Sequence, residues 1–96
     1  MNREEAEKEL IEYANKGMLE KLSENRHKPC WRELTMLEML KNLMIETEEL
    51  YDEMVFYCDI DVSKEEKRSK IRREAADVAN YAAMIIEKCY KMEDII

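Results

Sequence analysis

One glycine and one proline in 96 residues constrain this chain more than any other feature of its sequence. Hairpins and tight turns draw on Gly for positive φ and on Pro for a preset φ. A chain holding one of each makes few such turns, and helix is the element that needs neither residue in its interior. We therefore expect an all-α fold, built as one domain over residues 1–96, because this length supports a single core.

Hydrophobic spacing divides the chain into three main helices. In "EEAEKELIEYANKGMLEKLSENR" the apolar residues Ala6, Leu10, Tyr13, Ala14, Met18 and Leu22 form a helical stripe that stops near Asn25 to Pro29. Gly17 inside it costs roughly 1 kcal/mol against Ala and marks either a kink or a close helix crossing. The segment "ENRHKPCW" is irregular, and Thr35-x-x-Glu38 or the turn before it opens the second helix. "CDIDV" breaks that helix, and Ser63-x-x-Glu66 reads as a capping box for the third. From there Ile71, Ala75, Val78, Ala82, Ile85, Cys89, Met92 and Ile96 alternate steps of four and three, a seam of period 3.5. The second helix is oily on more than one face, so the bundle is expected to be completed by oligomerisation, as a homodimer or homotetramer.

Composition narrows the function classes. No apolar run approaches the ~20 residues of a membrane span, and the opening "MNREEAEKEL" is acidic where a targeting peptide would be basic. The expected location is cytoplasmic, without membrane contact. Cys30, Cys58 and Cys89 are an odd number with no CxxC pair, which points to reduced thiols in apolar settings that favour packing. A net charge of −7 argues against nucleic acid as a partner. A ligand bearing phosphate would need a cation to bring it in.

Charge concentrates in "MIETEELYDE", residues 44–53. At about 100° per residue, Glu46 and Glu53 fall within roughly 60° of Glu49, and Asn42 and Glu38 lie closer still, forming one acidic stripe. On the third helix Glu74 and Asp77 share a face, with Tyr81 and Asn80 beside them. An acidic helix face is ordinarily a solvated one. Asp77, however, stands in "EAADVANYAAMII", among small and apolar residues, which turns its carboxylate inward. Inward carboxylates raise one another's pKa or take up a cation, and Mg²⁺ suits oxygen ligands and bridges to phosphates.

Glu46-x-x-Glu49, followed by Glu74-x-x-Asp77, resembles the paired motif of the MazG-like, all-α nucleoside triphosphate pyrophosphohydrolases. "HKPCWREL" and "ADVANYAAMI" are similar to that family too, the latter to its phage and archaeal dATP/dGTP-hydrolysing branch, and the likeness spans residues 26–91. Where the family usually carries a further glutamate before the first motif residue, this chain has Ile45. The resemblance implies hydrolysis of a (d)NTP, with a purine deoxynucleotide as the preferred form, to a monophosphate and pyrophosphate. It also implies Mg²⁺, for which Mn²⁺ can substitute, held by Glu46, Glu49, Glu74 and Asp77, with Glu49 as the catalytic carboxylate that activates water. Trp31, Phe56 and Tyr81 match positions flanking the base, with His27 near and Asn80 able to bond base or sugar. Lys88, Lys70 and Arg73 could reach phosphate oxygens, although plain core accounts for Phe56 and Tyr81, and a solvated face for the cations.

Other sites fit less well. "DIDVSKEEKRSK" begins like an EF-hand but has Lys64 at its sixth position and Lys70 at its twelfth. A zinc site from His27, Cys30, Cys58 and Cys89 lacks close cysteine pairs, and a di-iron bundle lacks Glu-x-x-His. A non-catalytic helical dimer acting as an interaction module is the remaining alternative. Its support is the seam, and its weakness is that nothing in it explains Asp77.

Overall fold

The computed structural model describes residues 1–56 and 64–91, with the side chain of Phe56 not included. "CDIDV", Ser63 and the seam positions Met92 and Ile96 therefore lie outside the described residues. Helix α1 spans Arg3–Glu24, a single 3₁₀ turn covers Trp31–Glu33, α2 spans Met36–Phe56 and α3 spans Glu65–Lys91. Among the described residues no segment is a strand, as the turn-poor composition requires.

Local chemistry sets the helix ends. Asn2 caps α1, its Oδ1 accepting from the Glu5 N–H at 2.8 Å. The Thr35–Glu38 box is formed in both directions: Thr35 N–H donates to the Glu38 carboxylate at 2.9 Å, and Glu38 N–H donates to Thr35 Oγ1 at 3.1 Å. Glu38 is thereby committed to the cap rather than to the acidic stripe. At the start of α3 the Lys64 carbonyl accepts from Lys67 and Arg68 N–H groups.

Helix α3 lies in the centre, with α2 packed along one side and α1 along another, while α1 and α2 do not pack together. Both neighbours run antiparallel to it: Glu24 meets Arg73 while Met18 meets Asn80, and Leu34, just before α2, meets Lys88 while Glu46 within α2 meets Glu74 and Asp77. Two partners explain a departure from the seam. Ala76 and Asn80, the buried positions of α3, both lie off it, and Cys89 on it is exposed. Gly17 marks a close crossing rather than a kink: α1 runs unbroken through it, and a Cβ there would lie 3.6 Å from the Ala76 Cβ.

The core is small. Among the described residues Met39 and Ala76 are its buried apolar members, and the radius of gyration, 15.2 Å, exceeds the about 12.5 Å of a compact domain this long. Leu10 and Tyr13 of the expected α1 stripe are exposed. On α2, Leu37, Met44, Tyr51 and Val55 follow one exposed line. Cys30 and Cys89 are free and exposed, not packed as expected. No described helix is long and apolar enough to cross a membrane.

Candidate functional site

Antiparallel packing of α2 on α3 turns the two acidic motifs toward each other. Glu46, Glu74 and Asp77 each offer a carboxylate oxygen, and the three atoms lie within 4.8 Å of one another. All three residues are half-buried. Glu46 Oε2, Glu74 Oε2 and, about two turns along α2, Glu53 Oε1 are buried with no hydrogen-bond partner, an arrangement that costs free energy unless a counter-charge satisfies it.

The electrostatics record that conflict. Burial pushes the Glu46 carboxyl up to about 7, helped by its hydrogen bond with Glu49 and by the charge of Asp77. Burial also raises Glu74, with the charges of Glu49 and Asp77 adding to it. The Tyr81 hydroxyl is raised by burial and then by Glu46. The cation paired within the cluster is Lys21 of α1, whose ammonium lies 3.4 Å from Asp77 Oδ2 and 3.5 Å from Glu24 Oε2. Glu49 is exposed at the edge of the cluster, outside the three converging oxygens.

Next to the cluster is a pocket of about 240 Å³ between the end of α1, the following connection and α3. Asp77 is one of its walls, and Trp31, Asn80, Tyr81, Arg26 and Lys28 also line it. Trp31 is held from behind. Its indole N–H donates to Glu87 Oε1 at 3.2 Å, and Arg32 donates to both oxygens of the same carboxylate at 3.0 and 3.1 Å. The guanidinium also sits 5.6 Å from the Trp31 ring centroid. Those donors, Arg32 first and then Trp31, hold the Glu87 carboxyl down at about 2.

The residues singled out in sequence divide into four groups. Glu46, Glu74 and Asp77 converge, and Trp31, Asn80 and Tyr81 line the adjoining pocket. Asn80 is partly committed to the fold, since its Nδ2 donates to the Met18 carbonyl at 3.1 Å while its Oδ1 is buried without a partner. Lys88 donates to the Leu34 carbonyl at 3.0 Å, and Arg73 forks onto Glu24. Both of these expected phosphate contacts thus bind the fold together. His27 is exposed and outside the pocket lining, and the side chain of Phe56 is outside the described residues.

Sequence reasoning missed Lys21, Glu87, Arg26 and Lys28. A charge that pairs across helices leaves no periodic signal, so only the tertiary arrangement reveals it. No family model, curated protein or solved structure matches the chain.

Proposed function

We propose that this protein is a Mg²⁺-dependent nucleoside triphosphate pyrophosphohydrolase, releasing a monophosphate and pyrophosphate, with a purine deoxynucleotide as its preferred substrate. The observation that carries the reading is the convergence of Glu46, Glu74 and Asp77 oxygens within 4.8 Å beside a pocket that shares Asp77 as a wall. The donor set fits the ion: all three ligands are oxygens, and two of the residues hold buried oxygens that lack a partner.

When bound, Mg²⁺, or Mn²⁺ in its place, would neutralise triphosphate charge and acidify a water. The chain's own groups do the rest. Trp31 and Tyr81 offer faces to a base, and the buried amide of Asn80 offers an acceptor. Glu49, exposed at the cluster edge, accepts a proton from the water that attacks the α-phosphorus. The bond from that phosphorus to the bridging oxygen breaks, and pyrophosphate leaves.

The exposed line Leu37, Met44, Tyr51 and Val55 on α2 supports assembly of two or four copies. Light scattering should then give at least twice 11.6 kDa, unchanged by moderate salt because the contact is apolar. The reading is tested by a panel of (d)NTPs assayed for pyrophosphate release, together with melting curves with and without Mg²⁺. Release from at least one triphosphate and a Mg²⁺-induced rise of several degrees are expected, because a ligand of the native state stabilises it. A plain interaction module would show neither response, and strong preference for a pyrimidine would remove the purine assignment.

A further inference from the structure

Near the carboxylate cluster most cations are already occupied. Lys21 sits on Asp77 and Glu24, Arg73 on Glu24, Arg32 on Glu87, and Lys88 on the Leu34 carbonyl. Arg26 and Lys28 differ: both are exposed, both line the pocket, and neither pairs with an acidic group among the described residues. They keep full positive charge at a concave site of a chain whose net charge is −7. The net charge of the chain opposes an approaching anion, and a cleft with local cations focuses the opposite field.

Size decides which part of a ligand meets them. At about 240 Å³ the pocket falls below the roughly 300 Å³ of an ordinary small-molecule site. It houses one portion of a ligand and leaves the remainder outside, and Arg26 and Lys28, exposed members of its lining, are open to that remainder. Asp77 is both a pocket wall and a member of the cluster, so a phosphate chain engaged at the cluster lies within one pocket's width of these two side chains. We propose that Arg26 and Lys28 form an anion-holding lip that takes the terminal phosphates of a polyphosphate chain. This assignment rests on the pyrophosphohydrolase reading and gives the leaving pyrophosphate its protein contacts. Arg brings a fork of donors that matches phosphate oxygens two at a time, and Lys brings a mobile point charge.

Trp31 is the single tryptophan of the chain and lines the same pocket, so its emission reports occupancy directly. The full chain is titrated with inorganic tripolyphosphate in Mg²⁺ buffer, as wild type, as R26Q/K28Q, and as K8Q/K16Q. The last variant removes the same charge from a different groove, lined along α1 between Met1 and Lys16. Wild type and K8Q/K16Q should bind within twofold of each other, and R26Q/K28Q should bind on the order of tenfold more weakly. For a hydrolysed triphosphate, KM should rise by the same factor with kcat nearly unchanged. Equal weakening in both double variants would reduce the effect to bulk charge and overturn the lip, as would tripolyphosphate binding by R26Q/K28Q within twofold of wild type. If no triphosphate is turned over but tripolyphosphate still binds through Arg26 and Lys28, the lip stands and the pyrophosphohydrolase reading falls.

Discussion

Two carboxylate sites on α3, less than four turns apart, have been treated in opposite ways. Glu87 is met by three donors from Trp31 and Arg32 and is held down at about 2. Glu46, Glu74 and Asp77 are met mainly by one another, and burial drives Glu46 up to about 7. The first site is complete, and it fixes an aromatic ring. The second is incomplete as a purely protein arrangement, because its buried oxygens lack donors and Lys21 forms its direct ion pair with Asp77 alone among its members. A fold that needed acids only for solubility would have left them in water, where they cost nothing.

The largest effect should come from breaking the second site. Glu46→Gln and Asp77→Asn keep side-chain shape while removing charge. Each should lower pyrophosphate release by at least ~100-fold, about 2.7 kcal/mol of transition-state stabilisation. The double variant should be little worse than the worse single one, because groups acting as a unit are non-additive. Without divalent ions, Glu46→Gln should melt at or above wild type, since like-charge repulsion is relieved. Asp77→Asn should gain less, because it also loses its pairing with Lys21. Glu48→Gln, exposed and about 100° around α2 from Glu49, is the control and should alter neither reading. Equal activity in all three variants would reduce the cluster to a solvated face.

How much of this contrast was legible in the sequence follows from what each element signals. The three helices and the Thr35–Glu38 cap were, because periodicity and capping are local codes. Asp77 was also legible, since an acid amid apolar neighbours already declares a direction, whereas Glu46 and Glu74 were singled out by helical phase and the paired-motif resemblance, which named Glu49 with them although Glu49 is exposed outside the converging oxygens. The central place of α3 was not. Its tightest contacts use Ala76 and Asn80, a small residue and a polar one, which add nothing to a hydrophobic stripe. Nor was the support of Trp31 by Glu87, which joins residues 56 positions apart. The fates of Lys88 and Arg73 likewise depended on which carbonyl or carboxylate the fold would bring near.

The two sites should also oppose each other in pH. Between the ordinary value of 4.5 and about 7, an unfolded chain has released the Glu46 proton while the folded one retains it. Stability then falls as pH rises. This contribution is complete below the ordinary value and lost by about 7, at most ~1.4 kcal/mol per pH unit and, with partial exposure, roughly 1–2 kcal/mol in all. Glu87 has the reverse sign: its stabilisation is present above 4.5 and lost as pH falls toward about 2. Urea midpoints measured across this range without divalent ions should fall at both ends. Glu46→Gln should flatten the neutral limb alone and Glu87→Gln the acid limb alone. On the proposed reading, saturating Mg²⁺ should reverse the neutral limb, because the ion would bind the deprotonated carboxylates.

The smallest effect separates the charge conflict from the helix approach that frames it. At the α1–α3 crossing, Gly17 faces Ala76, next to Asp77, and the same crossing delivers Lys21 to Asp77 and the Met18 carbonyl to Asn80. If the glycine were required for that closeness, any side chain would pry the helices apart and weaken both contacts. A Cβ at Gly17 would, however, lie 3.6 Å from the Ala76 Cβ, an ordinary van der Waals separation. The helical backbone there has no positive φ for alanine to oppose. Gly17→Ala should therefore keep the crossing while reducing the conformational freedom of the unfolded chain, raising stability by up to ~1 kcal/mol. The slope of stability between pH 4.5 and about 7 should stay that of wild type, since no carboxylate has moved. A fall in stability with a steeper neutral limb would instead mean that the added methyl displaced Lys21 from Asp77, making helix separation, rather than carboxylate convergence alone, the control on the acidic site.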